Sequence, residues 1–214
     1  MTDNRGAGIV DRGIRIADGI VRRTRGYWSV AVHDLLQWLD NAGFGLSPTP
    51  IGLDEQFEYL QVIDGADQGW PLLPFIQSPD SARAAGAFAR HLELILAVYE
   101  PVEGAGWQFT ELTHSHSPVQ HGDLGPWNML WDSERGDICG IIDWDLAGPA
   151  SEGYDAGFLA WYMVPVMNDD RARERGFELP IDRADRLRAF CGGDMLFARN
   201  WRDNGCELDA DSER

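Results

Sequence analysis

The stretch His121-Gly122-Asp123-Leu124-Gly125-Pro126-Trp127-Asn128, followed by the apolar run Ile138-Cys139-Gly140-Ile141-Ile142 and then Asp143, constrains this chain more than any other feature. Asp123 and Asn128 stand five positions apart across a Gly-Pro loop, so both side chains can converge on one point. Met129-Leu130-Trp131 reads as an outgoing strand, Ser133-Glu134-Arg135-Gly136-Asp137 as the turn, and the Ile-rich run as the return. A hairpin of this kind carries Asp143 back beside Asn128. It therefore gathers a carboxylate, an amide and a second carboxylate around a single locus.

Phosphoryl transfer from a nucleotide needs such parts: an Asp to accept the proton of the attacking hydroxyl, and an Asn and an Asp to hold magnesium on the phosphates. Residues 119–165 resemble the catalytic core of the aminoglycoside phosphotransferase family, a branch of the protein-kinase-like fold. That family is similar to protein kinases in its H-x-D-x-x-x-x-N loop followed by an Asp at the end of the next hairpin. The resemblance implies Asp123 as catalytic base, Asn128 and Asp143 as magnesium ligands, and His121 as a brace for the loop. Ile142-Asp143-Trp144-Asp145 with Ala147-Gly148-Pro149 is similar to the family's metal-binding segment, and Tyr154-Asp155-Ala156 to its buried Asp near a helix start. Taken singly, these residues have plainer uses. His-Gly-Asp is common in turns, Trp127, Trp131 and Trp144 suit packing, Asp145 suits structural hydrogen bonding, and Asp155 suits a helix cap or loop anchor. Order, spacing and strand context together are far more specific than any one of them.

Composition narrows the remaining classes. The 214 residues suffice for one large domain or two small lobes. No apolar run is long enough to span a membrane, and the polar start lacks a secretory apolar core. Cys139, Cys191 and Cys206 have no metal-type spacing and fit reduced thiols of a cytoplasmic protein. His114 and His116 have no third ligand nearby and read as a solvated loop. The net charge of −17 argues against nucleic-acid binding. Residues 1–25 hold six Arg against three Asp, whereas the remainder holds 12 Arg against 32 acids. A basic start over an acidic body suits a nucleotide above and a cationic or neutral substrate below. All 18 basic residues are Arg, so the lysine with which kinases grip nucleotide phosphates has to be replaced or lost.

Along the chain, Gly13-Ile14-Arg15-Ile16 and Ile20-Val21-Arg22-Arg23 read as a hairpin turning at Asp18-Gly19. Alternation points Arg22 and Arg23 to opposite faces. By resemblance to the family's Val-Leu-Arg or Val-Leu-Lys strand, Arg22 is assigned the phosphate contact. Gly6-Ala7-Gly8 is either a residual phosphate-covering loop or an unstructured terminus. Ser29 opens an amphipathic helix on Val32, Leu35, Leu36 and Leu39 that ends at Gly43. In kinases this helix carries a Glu that pairs with the strand lysine; here His33 and Asp34 are the nearest polar substitutes. Two strands follow, over 48–53 and 58–63. By resemblance the segment Gln61, Val62, Ile63 and Asp64 is the hinge whose backbone meets the nucleotide base.

The Pro- and Gly-rich run 65–79 marks a lobe boundary or substrate-side loop. Further helices are expected over 81–100, capped by Asp80 and stopped by Pro101, over 153–162, and over 182–199 with a break near Gly192-Gly193. Residues 169–178 read as an exposed loop and 203–214 as a solvated tail.

The expectation is a two-lobed, protein-kinase-like α+β protein, with a small nucleotide lobe over 1–64 and a helical catalytic lobe over 65–214. It would move the γ-phosphate of ATP or GTP, with Mg2+, to a hydroxyl of a small molecule such as an aminoglycoside-like antibiotic. No nucleic acid or membrane partner is expected. Some short-lobed relatives that this chain resembles are named for trifolitoxin immunity, so a catalytically weak or inactive binding or immunity protein is the alternative. A metal-dependent hydrolase built on His121, Asp123 and Asp143 is a third reading.

Overall fold

The computed structural model describes residues 13–66, 71, 74–108 and 117–192. Gly6-Ala7-Gly8, His114, His116, Cys206 and the tail lie outside the described residues. The chain begins with the expected hairpin, β1 (Arg15–Ala17) and β2 (Ile20–Thr24), whose turn residues Asp18 and Gly19 take φ of 52° and 74°. Positive φ at both central positions gives the turn twist that matches right-handed strands. β3 (Pro50–Leu53) and β4 (Phe57–Gln61) complete an antiparallel sheet in the order β1-β2-β4-β3.

Between β2 and β3 lies α1 (Ser29–Asn41). Val32, Leu35, Leu36 and Leu39, the stripe legible in the sequence, are fully buried. At its end Gly43 (φ 72°) donates to the Asp40 carbonyl and Phe44 to that of Leu39, so the last carbonyls are satisfied as the chain turns away. Phe44 then packs on Phe88, with ring centroids 6.2 Å apart.

Phe88 belongs to α2 (Pro79–Leu96), the long helix of the second half. Ser78, rather than Asp80, caps it: its hydroxyl accepts from the Ser81 amide at 3.3 Å, with Pro79 in the first helical position. Asp80 instead sits in the first turn, where its charge favours the helix N-terminus. The helix ends at Leu96, short of Pro101, and Tyr99 turns inward so that its hydroxyl reaches Asp34 of α1 at 2.7 Å.

Two small ribbons follow. β5 (Val119–Gln120) pairs with β8 (Gly148–Pro149), and β6 (Met129–Asp132) with β7 (Asp137–Ile141). Then come α3 (Tyr154–Met163), α4 (Asp169–Glu174) and α5 (Arg183–Gly192). α4 corrects the expected loop: Asn168 caps a short helix by accepting from the Arg171 amide at 2.9 Å, and Ala172 is fully buried beneath it. Arg186 of α5 is buried and donates to the carbonyls of Met163, Ile76 and Gln77, binding three elements at one point.

One core cluster runs through α1, α2, the β6–β7 ribbon and α3, so the sheet and the helices share an interior. Ala66 pairs with Trp131 through both backbone groups (2.8 and 3.1 Å), fastening the segment after β4 to the β6–β7 hairpin. Among the described residues, no helix is long and apolar enough to cross a membrane.

Candidate active site

Asp132 shapes the turn of the β6–β7 hairpin. Its Oδ1 accepts from the amides of Glu134 and Arg135 (2.9 and 3.1 Å), while Gly136 closes onto the Asp132 carbonyl. The returning strand places the Ile142 amide 2.9 Å from the Asn128 carbonyl, which brings Asp143 beside Asn128. Asp143 itself is left-handed (φ 62°, ψ 60°), a conformation that Asp tolerates better than most residues and that carries local strain.

The loop before the hairpin is braced from several sides. Asp155, buried in the first turn of α3, accepts from the His121 amide at 2.6 Å and the Gly122 amide at 3.0 Å. It is a loop anchor, not a helix cap; Gly153 occupies the cap position. Burial pushes its carboxyl up to about 6, against the two amides that favour the charged form. His121 is fully buried, with Nε2 donating to the Ile142 carbonyl at 3.0 Å and Nδ1 accepting from the Asp123 amide at 3.3 Å. Burial lowers it to about 4, so the ring is neutral at pH 7. Both nitrogens are engaged, which removes the metal-hydrolase reading that needed this ring as a ligand. Gly122 has φ 84°, and a Cβ there would lie 2.0 Å from the Leu146 carbonyl oxygen, so only glycine fits.

Asp123 faces the opening. Its Oδ2 accepts from Trp127 Nε1 (3.1 Å) and Asn128 Nδ2 (2.9 Å), and that same amide nitrogen reaches the Asp123 carbonyl at 2.8 Å. Burial raises the Asp123 carboxyl above its ordinary value, opposed by these hydrogen bonds. With its nitrogen turned to Asp123, Asn128 keeps Oδ1 as its remaining donor to a cation. Asp143 is raised by partial burial and by Asp145, with Arg23 opposing. Its side chain remains 51% exposed, open to a ligand.

These groups floor a cleft of about 910 Å³. Its roof is apolar, with Ile14, Ile16 and Val21 of the hairpin, and its rear wall includes Gln61, Val62 and Ile63. The volume lies within the roughly 300–1,000 Å³ of small-molecule sites. Arg23 reaches in from β2. Its Nε lies 2.7 Å from Glu58, Nη1 is 3.3 Å from Asp143, and Nη2 is 2.8 Å from Asp145.

A profile of the phosphotransferase enzyme family matches residues 82–190, about half of the chain. The trifolitoxin immunity protein of Rhizobium leguminosarum bv. trifolii is 30% identical over 181 residues, which cover 82% of this chain and 67% of that protein. The chain belongs to the phosphotransferase enzyme family. Among solved structures, an amicoumacin kinase in complex with AMP-PNP, Ca2+ and Ami superposes with a TM-score of 0.59 at 14% identity, covering 89% of this chain and 67% of that one. At that identity the likeness concerns the fold, which is kinase-like and α+β as expected.

Within this family framework, the structure brings Asp123, Asn128 and Asp143 to one cleft floor with Gln61, Val62 and Ile63 opposite. Two expectations need correction. Arg22 is not the cleft arginine: its guanidinium lies over the Phe57 ring, 4.2 Å from the centroid, on the other face of the sheet, while Arg23 enters the cleft. Alternation separates the two arginines correctly, but which face is covered depends on how the sheet packs on α1 and the hairpin. Asp64 is not a lining residue either; its carbonyl accepts from Cys139 Sγ at 3.4 Å because the chain here is already turning to pair with β6. Glu58 is the residue that sequence reasoning missed. Read only as the start of a hinge strand, it lies directly opposite Arg23 in the β2–β4 register, so a strand alignment could have found it.

Proposed function

We propose that this protein is a small-molecule kinase, transferring the γ-phosphate of ATP or GTP to an alcohol. The convergence of Asp123, Asn128 and Asp143 on one cleft floor carries the reading. Asn128 Oδ1 and the Asp143 carboxylate are hard oxygen donors that suit Mg2+, which takes few protein ligands and completes its shell with phosphates and water. That ion would supply charge neutralisation of the β- and γ-phosphates. Asp123 accepts the proton of the acceptor hydroxyl; the oxygen forms the new bond to the γ-phosphorus as the bond to the β-phosphate oxygen breaks, and the nucleoside diphosphate leaves. Trp127 and Asn128 hold Asp123 in place for this step.

The nucleotide base enters between Ile16, Val21 and the 61–63 segment. Gln61 and Val62 already spend their amides on the carbonyls of Thr49 and Gly19, so the base meets carbonyls or the Ile63 amide. Arg23 takes the phosphate role. The lobe boundary falls at 64/65, where the chain leaves the sheet for the hairpin. A nucleoside triphosphate as co-substrate implies the cytoplasm. The acceptor approaches Asp123 past the rings of Trp127, Phe158 and Tyr162, which stand edge to face with centroids 4.7–5.9 Å apart. An antibiotic or similarly hydroxylated metabolite fits this wall and the name of the solved relative.

Phosphate release from labelled nucleotide across a panel of hydroxylated antibiotics and metabolites tests the proposal. Asp123→Asn should cut turnover by at least about 100-fold, the scale of a positioned base, and leave nucleotide affinity unchanged. Undiminished turnover in that variant removes the assignment.

A second reading is favoured by the immunity protein relative and by Arg23 already tied to Asp143: an immunity function exercised by binding, without transfer. It predicts protection of cells that survives Asp123→Asn.

A further inference from the structure

One kinase-like expectation that this chain breaks is the glutamate on α1, and the structure shows what stands in its place. His33 is the α1 residue turned to the sheet, and Asp34 points away to the Tyr99 hydroxyl. Glu58 comes instead from β4, directly opposite Arg23 across the β2–β4 ladder. It is fully buried, with one carboxylate oxygen 2.7 Å from Arg23 Nε and the other 3.3 Å from His33 Nε2. The Arg23 contact is an ion pair by distance rather than an aligned hydrogen bond, and the His33 contact is a close approach of the ring nitrogen. A buried carboxylate needs such partners, because the charge has left water.

The consequence lies in the shape of arginine. A guanidinium is planar and presents Nε and two Nη groups along different edges. Holding Nε 2.7 Å from Glu58 limits the reach of the fork, and the two Nη hydrogen bonds fix its plane. Both Nη groups are then aimed at the cleft floor, where Asp143 and Asp145 take them. A lysine ammonium, a compact group without a fork, could not span the Glu58, Asp143 and Asp145 carboxylates together.

We propose that Glu58, backed by His33, is the positioning residue for Arg23: it holds the fork that bridges Asp143 and Asp145 in the free protein and turns Nη1 to a phosphate oxygen when Asp143 is drawn to the cation. This rests on the kinase reading above. Contact with α1 is kept through His33, so the helix still reports on the phosphate-binding cation, one residue removed.

The test is a double-mutant cycle on binding of a non-hydrolysable nucleoside triphosphate with Mg2+, measured by calorimetry on the full chain, with circular dichroism as the check of folding. Arg23→Met and Glu58→Gln should each weaken binding about tenfold or more, and the double variant should bind no more weakly than Arg23→Met alone, since Glu58 acts only through Arg23. Arg23→Lys should bind as weakly as Arg23→Met. Additive losses, an unchanged affinity in Glu58→Gln, or full affinity in Arg23→Lys each overturn the inference. Should Glu58→Gln fail to fold, His33→Asn takes its place, with a loss of a fewfold expected in the native background and none beside Arg23→Met; any other pattern sinks the relay. A native protein that binds no nucleotide overturns the kinase reading as well, whereas binding with additive losses overturns this inference alone.

Discussion

His121 and Asp155 have opposite electrostatic problems in contact with one loop. His121 is held near 4, below its ordinary value, so the unfolded chain binds a proton that the folded one refuses between about pH 6.5 and 4. Stability from this group is present at pH 7 and lost on acidification. Asp155 is raised to about 6, so the folded protein binds the extra proton between about pH 4 and 6. Its contribution runs the other way, present in acid and lost as pH rises through 6. The two slopes oppose each other over nearly the same window. Asp155→Asn should therefore expose the histidine slope: the drop in melting temperature from pH 7 to pH 5 becomes larger in the variant than in the native protein. Parallel pH profiles would show that the carboxyl is not raised. The amide also has one acceptor oxygen for two backbone donors, so some stability, about 1–3 kcal/mol for an orphaned buried donor, is lost at both pH values.

At the scale of elements, the helical half depends on how closely α2 and α5 approach. Gly86 faces α5 at a point where a Cβ would lie 2.0 Å from the Phe190 carbonyl oxygen, a backbone atom that cannot swing aside. Helix propensity alone favours alanine there by about 1 kcal/mol. The clash reverses the sign, because overpacking a tight contact costs about 1–3 kcal/mol. Gly86→Ala is expected to be net destabilising in urea unfolding, and a stabilised variant would mean that α5 does not sit where described. The same crossing brings Arg186 to the carbonyls of Met163, Ile76 and Gln77, where burial lowers it to about 10 without removing its charge at neutral pH.

For the whole molecule, the shared core and the Ala66–Trp131 pairing couple the sheet to the β6–β7 hairpin. Unfolding should then be one transition in scanning calorimetry. On the proposed kinase function, a magnesium nucleotide at about 100 times its dissociation constant should add ~2.7 kcal/mol to the folded state, which for a chain of this size is a rise of roughly 5–10 °C in melting temperature. Asp143→Asn should remove most of that rise when magnesium is present. Two separate transitions, only one of them moved by nucleotide, would indicate that sheet and helices fold apart.

Sequence alone determined whatever depends on short range. The hairpin turn at Asp18-Gly19, the buried stripe of α1, the β6–β7 ribbon and the meeting of Asp123, Asn128 and Asp143 all follow from local periodicity, turn chemistry and spacing. Tertiary structure decided the rest. Alternation separates Arg22 from Arg23, but only the packing of the sheet on its neighbours tells which one enters the cleft. Glu58 lies 35 residues beyond Arg23 and becomes its partner only through strand register, a relation between distant segments that no local pattern encodes.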